Sequence, residues 1–190
     1  IYHGLPAGLY RPGNASGGYL AFLGRISPEK RLDRAIDVAL RTGIPLKIAA
    51  KVDPVNLDYY EQTIKPLIQH PLVEFMGEIG DAEKQDFLGN ALAYPHGAVP
   101  LILAGETAGR LVHSQGEAVE AVAWAGAMDR TACRALFDAR FTAEIMARGY
   151  LDIYQNLVTP EVAPTSAPAG MELPGPPPTK SEGPRTSSIS

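Results

Sequence analysis

The run Gly24-Arg25-Ile26-Ser27-Pro28-Glu29-Lys30 sets an arginine and a lysine on either side of a serine-proline pair. Arginine offers a planar fork that can take two oxygens at once, and lysine a compact point charge. Together they suit an anion with several oxygens, a diphosphate above all. Ser27 and Pro28 are residues favoured at the N-cap and first position of a helix. A helix start presents unpaired N–H groups and a partial positive charge, so it can seat a phosphate. If Lys30 lies in the first turn of that helix, its charge is disfavoured there by roughly 0.3–1 kcal/mol. Arg25 adds to the repulsion, and a bound anion would relieve it. The other reading makes both cations solvated surface groups with Glu29 as their local counter-charge. Spacing alone leaves the two readings open.

The elements that would position this loop can be read from periodicity. Tyr19-Leu20-Ala21-Phe22-Leu23-Gly24 is a short apolar run ending in glycine, the pattern of a buried strand. Leu32, Ala35, Ile36, Ala39 and Leu40 then follow helical spacing, which predicts an amphipathic helix over 29–41 closed by Gly43. Pro45 to Ala50 reads as a second strand and Val73 to Gly77 as a third. Between them, Leu57, Tyr60, Ile64, Leu67 and Ile68 mark a helix over 57–69, with Pro66 distorting its last turn. Asp81 is expected to cap a helix running to Ala93, with Phe87, Leu88, Ala91 and Leu92 inward. Strands alternating with helices of this length predict βαβ units and a parallel sheet. In such sheets ligands bind outside the carboxyl ends of the strands, where the Gly24–Lys30 loop would lie.

The second half changes character. Gly116 to Met128, Arg130 to Arg140 and Thr142 to Leu157 read as three successive helices. Thr142 is the expected cap of the last, whose apolar face would be Ile145, Met146, Tyr150, Ile153 and Tyr154, packed back across a neighbouring domain or sheet. From Thr159 to Ser190 the chain holds eight of its 17 prolines and no aromatic residue. That composition predicts a disordered tail, with Pro174-Gly175-Pro176-Pro177-Pro178 as a conceivable proline-rich ligand. The predicted organisation is an entry segment over 1–18, an α/β domain over 19–158 and the tail over 159–190. Opening at Ile1, the sequence is expected to be a piece of something longer.

Several blocks, in order, resemble the C-terminal domain of retaining family-four (group 1) glycosyltransferases of GT-B fold. Tyr19 through Asp33 resembles the start of that domain, His3-Gly4-Leu5-Pro6 the segment leaving the interdomain linker, Leu46 through Asp53 the second strand and its loop, and Val73 through Ile79 the third. The resemblance implies a Rossmann-like parallel sheet flanked by helices. It implies that Arg25 and Lys30 hold the diphosphate of a nucleotide-sugar donor. It also puts Gly24, Lys51, Gly77, Glu78 and Ile79 near the nucleotide. The implied partners are that donor and a second, N-terminal GT-B domain, without which the chain is expected to be inactive. No cofactor or metal is implied, since the two cations stabilise the leaving diphosphate.

The same resemblance marks a gap. The family carries a fourth strand, a loop and a helix bearing two glutamates seven residues apart, and then a fifth strand. One glutamate lies near the donor sugar and the other on the ribose. Here Asn90-Ala91-Leu92-Ala93-Tyr94-Pro95 runs directly into His96-Gly97-Ala98-Val99-Pro100, which is similar to a later turn. About 30 residues are absent by comparison with a one-helix, two-strand unit. Leu101 stands where a glutamate is usual, Arg110 where an aromatic is usual, and Glu106 is out of register with both glutamates. The sheet is therefore expected to be incomplete beside its first strand, with Pro100–Ala104 as a possible substitute. Rival readings follow: a non-catalytic nucleotide- or phosphate-binding remnant, a related GT-B epimerase or phosphorylase, or a remnant that does not fold.

The remaining candidates are plainer. His96 has no carboxylate partner at a recognisable spacing, and His3, His70 and His113 read as linker or surface residues. Cys133, alongside Leu136 and Phe137, is expected to be a buried small hydrophobe, and Trp124 core or interface. One cysteine excludes an internal disulfide, and a net charge of -4 gives no footprint for nucleic acid. No apolar run is long enough for a membrane span, so the cytoplasm is the expected location.

Overall fold

Each apolar run is followed by a helix able to carry the chain back to the opposite end of the sheet, which is what parallel pairing requires. The computed structural model describes residues 1–92 and 108–158. Strands β1 (Leu20–Ile26), β2 (Leu46–Val52) and β3 (Val73–Gly77) pair in parallel in the order β1-β2-β3. Leu20 lies opposite Leu46 and Ile26 opposite Val52. Both β1 and β2 continue two residues beyond the apolar runs that announce them. Arg25 and Lys51 are thereby strand residues, and they are register partners.

Helix α1 spans Leu32–Thr42 and buries Leu32, Ala35, Ile36, Val38 and Ala39. Leu40, expected in the buried stripe, is 37% exposed, and Val38 takes that place instead. The start of α1 also differs from expectation. Pro28–Lys30 forms a separate turn of 3-10 helix, and Arg31 breaks the chain direction with φ of 49° before α1 begins. This left-handed residue is held by its own side chain: Nε and Nη2 of Arg31 donate to the two oxygens of Asp33 at 3.0 and 2.7 Å.

The Asp33 carboxylate also accepts from the Tyr59 hydroxyl at 3.1 Å. The Arg31 hydrogen bonds, with help from Tyr59, hold the Asp33 pKa below the usual carboxylate range despite partial burial. A depressed folded pKa contributes stability above about pH 4, the unfolded value, and loses it as the pH falls through the lower folded value. Asp33→Asn is therefore expected to flatten the fall in urea midpoint as the pH drops below about 4. An undiminished fall would show that other carboxylates govern the acid limb.

Helix α2 covers 57–67 and contains a wider π turn at Tyr60–Ile64, just before Pro66. Proline has no N–H for the carbonyl four residues back and its ring crowds it, so the distortion expected near Pro66 spreads into the preceding turn. Ile64 is fully buried, Tyr60, Leu67 and Ile68 pack at the edge of the core, and Leu57 is 49% exposed.

Helix α3 spans Asp81–Gly89, with Gly80 rather than Asp81 at the cap position and the Glu83 carboxylate accepting from the Gly80 N–H at 2.9 Å. It ends four residues earlier than expected. The Leu92 N–H donates to the Tyr19 carbonyl at 2.8 Å, so the chain has turned toward the free side of β1.

Two apolar clusters sandwich the sheet. Leu20, Phe22, Ile26, Leu46, Ile48 and Ala50 face α1, α2 and Val122 of helix α4 (Gln115–Gly126). Tyr19, Ala21 and Ala49 face Phe87 and Ala91 on the other side. Helices α5 (Arg130–Arg140) and α6 (Ala143–Val158) complete the described chain.

The first eighteen residues are strapped to this frame. Leu5 and Thr142 form a parallel bridge, and the Arg134 guanidinium donates to the carbonyls of Ala7 and Tyr10 at 2.7 Å each. Gly13 lies so close to Gly89 that a Cβ added to it would fall 1.8 Å from the Gly89 carbonyl oxygen. Thr142 caps α6 as expected, its Oγ1 accepting from the Ile145 N–H at 3.3 Å. The expected apolar face of α6 is only half-buried at Ile145 and Met146, whereas Tyr150, Ile153 and Tyr154 are 46%, 47% and 59% exposed. Among the described residues nothing covers that half of the helix.

Among the described residues no helix is long and apolar enough to cross a membrane. The expected gap, with Tyr94 to Glu106 and the substitute strand, lies outside the described residues, as does the tail over 159–190.

Candidate functional site

The C-terminal ends of the strands gather the charged residues singled out from the sequence. Arg25 and Lys51 sit side by side as register partners near the ends of β1 and β2. By strand alternation they share the sheet face that carries Ala21 and Ala49. Two like charges so placed repel, and each is answered by a carboxylate from just beyond the neighbouring strand. Nη1 of Arg25 meets Oδ2 of Asp53 at 3.2 Å, and Nζ of Lys51 meets Oε2 of Glu78 at 3.8 Å. Asp53 is itself fixed: its Oδ1 accepts the Val55 N–H at 3.1 Å, capping the 3-10 turn Pro54–Asn56. Its side chain is 18% exposed, against 61% for Arg25.

The loop after β1 is built differently from its sequence reading. Ser27 precedes the Pro28–Lys30 turn but makes no side-chain capping bond. It is buried, and its hydroxyl donates to Oε1 of Glu29 at 2.6 Å. That bond, a backbone contact and the charges of Arg25 and Lys30 hold the Glu29 carboxyl below its usual range. Glu29 thus feels both cations at once.

Lys30 closes the short turn, its N–H bonded to the Ser27 carbonyl at 3.0 Å. It does not lie in the first turn of α1, so the argument from helix-end repulsion loses its premise at this residue. The break at Arg31 is the physical reason. The Lys30 ammonium makes no ion pair or hydrogen bond among the described residues.

The backbone between these groups is open. Gly24 has φ of 153° and Gly77 φ of 77°, and a Cβ at either would meet no atom within 4 Å. Backbone without a side chain in its way is what close approach of a ligand needs. Ile79, expected near the nucleotide, is partly buried against the Tyr19–Phe87 cluster. Among the described residues no group of acidic, histidine or cysteine side chains could hold a metal ion.

Other candidates fall elsewhere. A cleft of about 300 Å³ lies between the N-terminal segment, α3 and α5, lined by Pro6, Tyr10, Leu88, Cys133 and Phe137 among others. Cys133 is half-buried rather than enclosed. A second concavity, of about 360 Å³, is walled by Asp33, Asp37 and His113. Trp124 is half-buried, with the Arg110 guanidinium 4.7 Å above its ring. His3, His70 and His113 are exposed, as expected of surface residues.

The residue that sequence reasoning did not single out is Asp53. Its signal was a carboxylate just after the second strand, opposite the cation Arg25, which becomes meaningful only once the strand register is known.

The three-stranded parallel sheet flanked by helices matches in fold the Rossmann-like C-terminal domain of GT-B glycosyltransferases. Among solved structures that share it is AviGT4, a glycosyltransferase involved in avilamycin A biosynthesis. It matches with a TM-score of 0.60 and 20% identity over 82% of this chain and 57% of its own. The C-terminal domain of a glycosyl transferase group 1 family protein, LpcC from Francisella tularensis, matches with a TM-score of 0.51 and 17% identity over 77% of this chain and 98% of its own. TarM matches with a TM-score of 0.55 and 14% identity, covering 81% of this chain and 37% of its own. The chain therefore spans little more than half of AviGT4 and nearly all of the isolated domain. No protein-family description matches the sequence, and no curated protein does.

Proposed function

We propose that this chain is the donor-binding domain of a retaining glycosyltransferase of family-four type, taking a nucleotide-diphosphate sugar with Arg25 and Lys30 on its diphosphate. The observation that supports it most is the pairing of Arg25 with Lys51 at the carboxyl end of the sheet, next to the turn that carries Lys30. Three cations on one edge of this fold give a polyanion several points of attachment.

The chemistry follows from charge. Transfer of the sugar leaves a diphosphate whose negative charge grows as the glycosidic bond breaks. Cations held in place before the reaction stabilise that growing charge without reorganising. Gly24 and Gly77 let the nucleotide approach the strand ends, and Glu78 and Lys51 border it there.

The site is open on this chain, so the acceptor side and the wall that excludes water would come from a second unit. Such a unit would be the N-terminal GT-B domain, in the cytoplasm with this one. The segment that would carry the paired glutamates falls within the internal gap read from the sequence. Weak donor binding without transfer is accordingly the behaviour proposed for the chain by itself.

Calorimetry with pyrophosphate, UDP and GDP tests the reading. Binding of at least one of them, weakened about tenfold or more by Lys30→Ala, is the expected result for loss of one charge-assisted contact. No heat with any of the three, from a chain that melts cooperatively, would refute the proposal.

A further inference from the structure

The carboxyl edge of the sheet is neutralised from within. Arg25 on β1 is paired with Asp53 from the end of β2, and Lys51 on β2 with Glu78 from beyond β3. Lys30 shares its turn with Glu29, which Ser27 holds in place. Three cations are thus matched by three carboxylates along this edge. Of the two carboxylates paired with strand cations, Asp53 is the more firmly held. The Val55 N–H pins one of its oxygens, and its side chain is the most enclosed of the two ion-paired acids, at 18% exposure against 68% for Glu78.

We propose that Asp53 is a specificity residue that selects ligands at this site by charge, favouring a diphosphate esterified at both ends over a free terminal phosphate. This inference rests on the phosphate-binding role proposed above. Its contact with Arg25 uses a single guanidinium nitrogen, which leaves the remaining N–H groups of the fork for a ligand. With the Arg25 end of the pair 61% exposed, the contact contributes little to stability.

What remains is a fixed negative charge beside the phosphate seat. Its repulsion rises with each added charge on the ligand. A nucleotide-diphosphate sugar has both phosphates esterified, whereas the nucleoside diphosphate left after transfer carries a further charge on its terminal phosphate. Asp53 therefore disfavours the product relative to the donor and speeds its departure.

The probes can be free of any base or sugar. Pyrophosphate represents the free terminal phosphate, and P1,P2-dimethyl pyrophosphate the doubly esterified diphosphate. Both are titrated into the full chain and into Asp53→Asn near pH 8 at fixed low salt. The amide oxygen of asparagine can still accept the Val55 N–H, and Asp53→Ser serves as a second variant that keeps an acceptor there.

Pyrophosphate is expected to bind the variants about three- to tenfold more tightly, and the dimethyl ester less than threefold more tightly, as for removal of one charge several ångströms away in a partly aqueous setting. Equal shifts for both ligands, or weaker binding of pyrophosphate, would overturn the charge-selection role. If Lys30→Ala still weakened binding about tenfold or more in that case, the phosphate site itself would stand. Absence of pyrophosphate binding to the parent chain and to both variants would overturn the charge-selection role, and the donor-binding reading would fall with it if UDP and GDP also gave no heat.

Discussion

Phe22→Ala is expected to lower the unfolding free energy by about 3–5 kcal/mol, the range for emptying a large aromatic site in a core. Phe22 sits in the middle of β1 at 1% exposure, within the cluster that joins the sheet to α1 and α2. Its neighbours on that face, Leu20, Ile26, Ile36 and Ile48, are at most 1% exposed, so little can relax into the space. A domain of this size has roughly 5–15 kcal/mol in all, and the loss would remove about a fifth or more of it. The matching fall in melting temperature is about 6–20 °C. Val55→Ala, at a side chain 89% exposed, is the control and should shift stability by no more than about 0.5 kcal/mol. Urea unfolding followed by circular dichroism measures both. A change below about 1 kcal/mol for Phe22→Ala would mean that this sheet is not the cooperative core.

The parts of this fold that could be read from sequence are those governed by local burial. Strands β1 and β2 show as short apolar runs because both of their faces are largely covered, whereas β3 buries one side and leaves Glu74 and Met76 exposed. Helix α1 shows as a stripe because one side is not covered. What escaped was set by contacts distant in sequence or by backbone chemistry without a side-chain marker. The start of α1 was misplaced because its left-handed break falls on Arg31, not on a glycine, and is sustained by the pairing of that arginine with Asp33. The strapping of the N-terminal segment was invisible because Arg134 reaches backbone carbonyls of Ala7 and Tyr10, which any residue would present.

The exposed face of α6 teaches the converse. Tyr150, Ile153 and Tyr154 follow helical spacing faithfully, yet spacing says only that a face is apolar, not what covers it. In the candidate site the cations were legible as a motif, whereas their counter-ions were not. Asp53 and Glu78 lie 28 and 27 positions from their partners Arg25 and Lys51, and only the register of parallel strands brings them together.

Removing both loop cations, with Arg25→Ala and Lys30→Ala in one chain, carries the largest expected effect on ligand binding. Each charge-assisted contact to a phosphate oxygen is worth about 1.5–3 kcal/mol. Loss of both should weaken pyrophosphate binding by two orders of magnitude or more if they act on one ligand. The two changes need not add, because Asp53 and Glu29, freed of their cations, become uncompensated charges beside the seat. That coupling predicts a double variant weaker than the product of the single effects. Fold stability should hardly move, since the Arg25 side chain is 61% exposed and lies outside both apolar clusters. Titrations of the two single variants and the double variant, each with a thermal melt, complete the cycle. A double variant no weaker than Arg25→Ala alone would show that Lys30 does not touch the ligand, and would leave Lys51, the register partner of Arg25, as the second cation of the site.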